Sequence, residues 1–148
     1  MTWQQSMADL GFRAMSQGHR GILRLTGGRV LHSAFGMTTV ELQTIGRTTG
    51  KRRSTILTSP VHDENRVVLV ASKGGDDRNP QWYGNLTVNP DVEVTLDGVT
   101  QAMRARTASP EERAALWPQI VGAYKGYGGY QEKTERTIPV VICEARPR

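Results

Sequence analysis

The sequence has little of what stabilises small secreted proteins or holds structural metals. Cys143 is the only cysteine in 148 residues, so the chain can form no internal disulfide and no metal site built on cysteines. The three histidines, His19, His32 and His62, are scattered without the spacing of metal ligands. We therefore expect no structural metal. Because Cys143 lies in the apolar segment 140–143, we expect its thiol to be buried and unreactive.

Long apolar runs and common catalytic motifs are missing as well. No stretch approaches the roughly 18 apolar residues of a membrane span, and the N-terminus lacks the basic region and apolar core of a secretion signal. These absences predict a cytoplasmic protein. The sequence also lacks a G-x-S-x-G nucleophile motif and the glycine patterns of Walker and Rossmann sites. The motifs therefore give no support to hydrolysis by a protein nucleophile.

Basic residues, by contrast, are in excess. The chain has 19 lysines and arginines against 14 aspartates and glutamates, which gives a net charge of +5. A positive surface favours an anionic partner such as a phosphate, a polycarboxylate, nucleic acid or a membrane. A mild positive charge without a specific partner is the alternative, and composition alone does not separate the two.

The first residues predict an amphipathic helix. Trp3, Met7, Leu10 and Ala14 recur at helical spacing, and Gly18 stands where the helix would end. Packing of this apolar face on the body of the protein is the favoured interpretation. Contact of the same segment with a membrane surface is the alternative.

Short strands joined by tight turns follow. Alternating or wholly apolar segments predict six strands, at residues 40–45, 54–61, 67–71, 92–96, 99–107 and 138–144. The third is apolar on both faces, as is typical of a central strand, and Asp97-Gly98 predicts a two-residue hairpin turn. Asn79 and Ser109 are placed to cap helices that begin with proline. We predict a mainly β protein of the α+β class, a small closed or split barrel with helices outside it.

This pattern also sets the predicted domain organisation. Residues 1–35 form an N-terminal helical segment packed on or near the barrel, and residues 36–148 form the barrel itself. No repeat, linker or low-complexity stretch divides the two, so we expect a single domain.

Two loops carry the first candidate site residues. Arg47, Lys51, Arg52 and Arg53 crowd around Gly50, and such a cluster suits phosphate or carboxylate oxygens. The second loop, residues 71–80, follows an apolar strand and is too rich in glycine and charge to be held by packing alone. It predicts a backbone shaped to approach a ligand. A solvated surface turn and plain strand termination are the respective alternatives.

Aromatic side chains supply the remaining candidates. Trp82 and Asn85 share a helix face, where the tryptophan could border a flat ligand and the amide could bind its polar edge; a core tryptophan is the alternative. Tyr124, Tyr127 and Tyr130 recur every three residues among glycines. We interpret them as phenols on a mobile segment that covers a site, with a core role retained mainly for Tyr124. Since no protein nucleophile is evident, a redox reaction carried by an organic cofactor fits these loops.

Taken together, these residues resemble the deazaflavin-dependent nitroreductase family, which uses coenzyme F-420 and occurs in mycobacteria and other actinobacteria. The similarity extends over residues 38–144, and its motifs keep their order along the chain. The matching segments are TIGRTTG (44–50), VASKGG (70–75), NPQWYGNL (79–86), NPDV (89–92), EER (111–113), YKGYGGYQ (124–131) and RTIPVV (136–141).

The resemblance implies a six-stranded split β-barrel of the FMN-binding type. It implies that the basic loop, with Arg47, Lys51 and Arg53, holds the phosphate and acidic tail of the coenzyme. It further implies a ring site and a substrate pocket. The ring site consists of Ile56, Leu57, Thr58, Ala71, Ser72, Lys73, Gly74, Gly75, Trp82 and Asn85, and the pocket is bordered by Tyr124, Tyr127 and Tyr130.

The chain departs from the family pattern at three positions. Thr48 stands where the family has a basic residue, and Arg52 stands where it has a proline. Lys51 and Arg52 would restore the lost charge. Thr58 stands where the family has a tyrosine, so the pocket lacks one phenol and the substrate preference is expected to differ.

The predicted reaction is hydride transfer from the reduced deazaflavin to a quinone, enone or nitroaromatic acceptor. Tyr127, helped by Ser72, would protonate or polarise the acceptor oxygen, and Lys73 would favour negative charge near the ring. The expected partners are coenzyme F-420 and a hydrophobic small molecule, with peripheral membrane contact through the first helix left open. The alternatives are a split barrel that binds FMN or haem and a non-enzymatic module that binds nucleic acid or anionic lipid.

Overall fold

The computed structural model of the protein describes residues 33–34 and 37–146. The predicted N-terminal helical segment, residues 1–35, lies outside the described residues apart from one short strand, so this part of the domain prediction stays a prediction. The described elements, in chain order, are β1 (Ser33–Ala34), β2 (Met37–Ile45), β3 (Arg52–Ser59), β4 (Val61–His62), β5 (Arg66–Val70), a 3₁₀ turn (Lys73–Gly75), α1 (Gln81–Val88), β6 (Asp91–Leu96), β7 (Val99–Thr107), α2 (Pro110–Ala123), α3 (Gly126–Glu132) and β8 (Val140–Ala145).

All eight strands belong to one curled antiparallel sheet. The strand order is β1-β2-β6-β7-β8-β5-β4, and β3 pairs with β2 along nearly its whole length. The curl brings β3 against β5, where the Ser59 hydroxyl donates to the carbonyl oxygen of Val68 at 2.7 Å. This buried bond joins two strands that do not pair, and it closes one side of the half-barrel.

The core has two parts, one on each face of β5 and β8. Val67 and Leu69 of β5 point into a cluster with Leu42, Val94 and other residues of the sheet. Val68 and Val70 point to the opposite face, where a second cluster contains Leu116, Ile120 and Tyr127 from α2 and α3. A strand buried on both faces needs apolar side chains at every position. This explains the continuous apolar segment that predicted β5.

The six predicted strands correspond to the six long strands of the structure, and β1 and β4 are added as two-residue strands. Two predicted boundaries are wrong for the same reason. The predicted strand 54–61 is interrupted at Pro60, and the predicted strand 138–144 begins only after Pro139. Proline has no N–H to donate to a neighbouring strand, so regular pairing stops beside it.

Local turn and capping signals were mostly correct. Asp97 and Gly98 both have positive φ, as a two-residue hairpin turn requires. Ser109 and Glu112 form the predicted capping box at the start of α2. The predicted cap at Asn79 is wrong. Helix α1 begins at Gln81 after Pro80, and the Asn79 amide oxygen instead accepts a bond from Arg136 at 3.0 Å.

Candidate functional site

The hairpin between β2 and β3 presents the basic loop. Ile45 pairs with Arg52, and the loop between them is closed by bonds from the Gly46 N–H to the Lys51 carbonyl (2.8 Å) and from the Gly50 N–H to the Gly46 carbonyl (2.9 Å). Gly50 takes a positive φ of 69°, a conformation that residues with a side chain rarely adopt. The loop therefore has a defined backbone that holds its charged side chains at the surface.

Arg47 is held against helix α1. Its guanidinium donates to the Gln81 carbonyl (3.3 Å), to the Gln81 side-chain oxygen (2.8 Å) and to Asn85 Oδ1 (2.9 Å). A side chain at Gly84 would meet this guanidinium at 3.0 Å, so the glycine permits the close approach. Buried Asn85 also accepts from the Arg47 main-chain N–H and donates to Thr44 Oγ1. Asn85 thus joins the basic loop to the helix. Its side-chain amide, which was predicted to bind the coenzyme ring, already accepts two hydrogen bonds and donates one within the protein.

The other basic residues of this loop differ in their partners. Arg52 donates to Gln43 at 3.1 Å and forms an exposed ion pair with Glu93 at 3.5 Å. Lys51 and Arg53 are exposed, and neither forms an ion pair with any residue in the described ranges. These two charges are therefore available to an anion, whereas Arg52 is partly neutralised.

The segment predicted to contact the coenzyme ring leaves β5 through a tight turn. Ala71 and Ser72 are buried, and Lys73, Gly74 and Gly75 follow with φ values of 46°, 65° and 87°. A Cβ at Gly75 would lie 2.8 Å from the Tyr130 carbonyl oxygen. Only glycine fits there, because the turn packs its backbone directly against α3.

Charged side chains hold the next part of the same loop. Asp76 accepts from the Arg78 N–H (2.8 Å) and the Arg78 guanidinium (2.9 and 3.0 Å), and these bonds lower the pKa of the carboxyl to about 2. The Thr134 hydroxyl donates to Asp77 at 2.8 Å. Arg136 adds four further bonds to this loop. Polar contacts rather than apolar packing therefore fix its shape.

The three tyrosines form one cluster. Tyr124, Tyr127 and Tyr130 contact each other edge to face, with ring centroids 5.6, 6.3 and 6.0 Å apart. Tyr127 and Tyr130 lie on helix α3, and Tyr127 is only 5% exposed in the second core cluster. The prediction of a core role mainly for Tyr124 is wrong, because Tyr127 is the most deeply buried of the three, and the mobility of the segment stays a prediction. Mutual packing of the rings offsets the cost of glycine in the helix.

Tyr127 reaches the barrel through a hydroxyl pair. Its phenol lies 3.0 Å from Thr58 Oγ1 on β3, within hydrogen-bond distance. Burial raises the pKa of Tyr127, and the bond with Thr58 opposes part of that rise. Burial, together with a hydrogen bond that the Tyr130 phenol donates to Tyr124, raises the pKa of Tyr130 to about 12. Both phenols are therefore neutral hydrogen-bond donors at neutral pH.

The remaining predicted ring residues differ in their burial. Ile56 is buried on β3, while Leu57 and Trp82 are half-buried against the first core cluster. Trp82 therefore has the core role that was the alternative for it. Ser72 makes no hydrogen bond with Tyr127 within the described residues, so the predicted assistance is not preformed.

The site residues thus fall into two groups joined by one strand. Arg53 lies at the start of β3 and Thr58 near its end, five residues later, which corresponds to roughly 17 Å. Available cations stand at one end and a partly buried hydroxyl pair at the other. A long molecule with an anionic tail and a flat, uncharged head fits this donor set. Sequence patterns gave both groups but missed Arg136 and the contact between Thr58 and Tyr127.

A curled antiparallel sheet with helices packed outside it is the architecture of a split barrel. Residues 16–145 match the family model described as F420H(2)-dependent quinone reductase. The chain belongs to this family. The resemblance found in the sequence is thereby confirmed, as are the enzyme class and coenzyme F-420 as the cofactor. Quinone is one of the three predicted acceptor types.

Individual relatives agree with the family assignment. The chain is 40% identical over 133 residues to an F420H(2)-dependent quinone reductase of Mycobacterium tuberculosis, covering 86% of this chain and 88% of the relative. The solved structure of an F420-H2 dependent reductase, FDR-A, matches with a TM-score of 0.66 at 40% identity, over 72% of this chain and 93% of that one. A structure described as a domain-swapped dimer matches with a TM-score of 0.68 at 33% identity, over 97% of this chain and all (100%) of the other. These matches confirm the split-barrel fold.

Two other predictions concern the thiol and the membrane. Cys143 is buried, which confirms the expectation of a buried thiol; burial raises its pKa to about 12, and its lack of reactivity stays a prediction. Among the described residues, none of the helices has the length and apolar character needed to cross a membrane.

Proposed function

We propose that this chain transfers a hydride from reduced coenzyme F-420 to a quinone, with the tail held at the basic loop and the acceptor bordered by the tyrosine cluster. The observation that carries the proposal is the arrangement along β3, with unpaired cations at one end and the Thr58–Tyr127 pair at the other. Family membership supports the coenzyme and the class of acceptor.

Lys51 and Arg53 are assigned to the tail. Both side chains are exposed and without an acidic partner in the described part of the chain, and arginine offers forked donors to phosphate or carboxylate. Arg47 has a second task. Its bonds to Gln81 and Asn85 fix the loop on α1, and its remaining donors face outward. The loop is therefore preorganised before the coenzyme arrives, which reduces the entropy cost of binding.

Ring binding is assigned to the end of β5 and to β3. Ala71, Ser72, Lys73, Gly74 and Gly75 form one side, with Lys73 supplying positive charge near the ring. Ile56 and Thr58, which share one face of β3, form the other side together with the main chain between them. When bound, the reduced coenzyme supplies the hydride. These residues hold its ring flat against the acceptor and keep water out of the contact.

Tyr127 acts on the acceptor oxygen. Reduction of a quinone to a hydroquinone takes up one hydride and one proton, and the product carries one hydrogen on each of its two oxygens. The phenol of Tyr127 would donate a hydrogen bond that polarises one of these oxygens, and the proton would come from solvent. Thr58 orients that phenol. Polarisation by a preoriented donor stabilises the charge that develops during transfer.

The proposal extends to where the protein acts in the cell and to whether it forms a dimer. A hydrophobic quinone is found in membranes, so contact of residues 1–35 with a membrane surface would bring a cytoplasmic enzyme to its acceptor. The similar domain-swapped dimer makes a second copy of this chain a reasonable partner to test by measuring its mass in solution.

Coenzyme titration tests the proposed function. Purified protein is titrated with oxidised coenzyme F-420 and, separately, with FMN, and reduced coenzyme is then mixed with menadione. We expect selective binding of F-420 and oxidation of the reduced coenzyme. Arg53→Gln should weaken F-420 binding about tenfold, because a charge-assisted contact is lost.

Arg104→Gln is the matched control. Arg104 is an exposed arginine on β7 whose partner is Asp91, away from the basic loop. Its removal should change the affinity less than about twofold. Tight FMN binding without F-420 binding would contradict the proposed coenzyme, and equal losses in the two variants would contradict the tail site.

A further inference from the structure

The guanidinium of Arg136 binds several residues of the loop 71–79, which was assigned to the coenzyme ring. Arg136 Nε donates to the carbonyl oxygen of Asp76 at 2.8 Å, and Nη2 donates to the carbonyl oxygens of Ala71 (3.2 Å) and Ser72 (3.0 Å). Nη1 donates to the side-chain oxygen of Asn79 at 3.0 Å. Arg136 thus binds four hydrogen-bond acceptors that all lie within the nine residues 71–79.

These bonds differ from those of an ordinary ion pair. The nearby carboxylate of Asp76 is bound by Arg78, and Arg136 donates to neutral carbonyl and amide oxygens instead. Burial lowers the pKa of Arg136, while Asp76 and Asp77 oppose that change. A planar group with five N–H donors in a fixed fork can reach four acceptors at once, whereas a lysine ammonium has three donors on one atom.

Arg136 is itself held in place by its own main chain. The Gln131 side-chain amide donates to the Arg136 carbonyl oxygen at 2.7 Å, and the Arg136 N–H donates to Thr134 Oγ1 at 3.3 Å. Gln131 in turn accepts from Arg113 at 2.9 Å. The guanidinium therefore connects the loop rigidly to the end of the tyrosine helix and to α2.

The bonds also set the direction of two peptide groups. In a trans peptide the N–H points opposite to the C=O, and the described chain contains no cis bond. With the carbonyls of Ala71 and Ser72 turned towards Arg136, the N–H groups of Ser72 and Lys73 point away from it. The Ser72 N–H has no hydrogen-bond acceptor among the described residues.

We propose that Arg136 is the positioning residue of the ring site: by holding the carbonyls of Ala71, Ser72 and Asp76, it directs main-chain N–H groups towards the polar edge of the deazaflavin ring. This inference rests on the proposed function. Arg136 touches neither coenzyme nor acceptor, and it acts through the backbone of residues 71–76.

The test compares Arg136→Lys with Arg106→Gln. Arg106 also makes three strong side-chain bonds, to Glu112 and Glu144, but these link β7, β8 and α2. For each protein we would measure thermal stability, amide hydrogen exchange in residues 71–79, and affinity for intact F-420 and for a deazaflavin that lacks the phosphate and acidic tail.

The expected result separates ring positioning from general stability. Arg136→Lys should speed amide exchange in residues 71–79. It should weaken the binding of both deazaflavins alike, by about tenfold, because the main-chain N–H groups that it misplaces contact the ring, which both compounds share. Arg53→Gln should weaken only the intact coenzyme. Arg106→Gln should lower stability and leave both affinities within about twofold of the wild type.

Asn79→Ala is the second variant, because Asn79 is exposed and its loss should not prevent folding. It removes one of the four acceptors and should give a smaller change of the same kind. Wild-type affinity for the tail-less ring in Arg136→Lys would overturn the role of Arg136 alone. If the wild type itself bound neither deazaflavin, the proposed function and this inference would both be wrong.

Discussion

At the scale of single residues, the hydroxyl pair of Thr58 and Tyr127 is the contact on which the proposed acceptor site depends. The family pattern has a tyrosine where this chain has Thr58. The smaller side chain leaves room beside β3 and still reaches the phenol of Tyr127 at 3.0 Å. If the acceptor binds beside this pair as proposed, one tyrosine fewer leaves it more room, and the phenol of Tyr127 is the hydroxyl that pairs with Thr58.

Removing one hydroxyl tests this contact. Tyr127→Phe should lower kcat for menadione about tenfold with unchanged coenzyme affinity, because the donor to the acceptor oxygen is lost. It should also cost about 1 kcal/mol of stability by leaving the Thr58 hydroxyl without its partner. Steady-state kinetics and thermal unfolding measure the two effects.

A second tyrosine provides the control for that variant. Tyr83 bonds Thr107 Oγ1 at 2.8 Å, so Tyr83→Phe breaks the same kind of pair on the other side of the sheet. It should lower stability slightly without changing kcat. Unchanged turnover in Tyr127→Phe would show that the phenol has no part in the reaction.

At the scale of elements, helix α3 is the least expected part of the fold. It contains three glycines in seven residues, yet it is regular and carries two of the clustered tyrosines. Glycine lowers helix stability by about 1 kcal/mol relative to alanine. Packing of the rings and the contact of Gly75 with the Tyr130 carbonyl hold the helix in spite of that cost.

Gly129→Ala tests whether this helix works as a fixed wall. A Cβ at Gly129 meets no atom within 4 Å, so the substitution should raise stability by about 0.5–1 kcal/mol. Gly122→Ala in α2 is equally free of contacts and serves as the control. Turnover should stay at the wild-type level in both. A drop in kcat confined to Gly129→Ala would mean that the tyrosine helix must open during catalysis.

Elements that depend on nearby residues were predictable. The alternation of β2 and β6, the Asp97-Gly98 turn and the capping box of α2 all follow from neighbours in the sequence. Asn79 is a good cap by type, but Arg136 competes for its side-chain oxygen from 57 residues away. Local preference cannot reveal a distant partner of this kind.

The candidate site likewise has a part that local sequence reveals and a part that depends on distant residues. The basic loop and the tyrosines were found because each is a cluster within a few residues of chain. The Thr58–Tyr127 pair spans 69 residues and the Arg136–Ala71 bond spans 65, so only the fold brings them together. Short patterns therefore proposed clusters of candidate site residues, and the tertiary structure shows which distant residues contact them.

At the scale of the whole molecule, the positive charge and the neutral pocket lie at different ends of the site. The net charge of +5 includes the unpaired Lys51 and Arg53 at the surface, whereas the tyrosine cluster is largely buried. Exposed charges attract an anionic coenzyme over several ångströms and are screened by salt, while contacts with an uncharged quinone are not.

Ionic strength should therefore act on one substrate only. Raising the salt concentration from about 50 mM to about 500 mM should increase the KM for reduced coenzyme several-fold and leave the KM for menadione unchanged. Steady-state kinetics at fixed pH measure both. A parallel rise in the two constants would argue against an electrostatic tail site.

The position of β8 has a consequence for how the molecule forms. This strand comes last among the described elements, yet it lies between β5 and β7 in the interior of the sheet. Until it emerges from the ribosome, one edge of β5 and one edge of β7 stay unpaired, and the nascent chain is exposed to aggregation and to chaperones. The two halves of the sheet should therefore join only once β8 has been synthesised, because β8 is the strand that pairs with both.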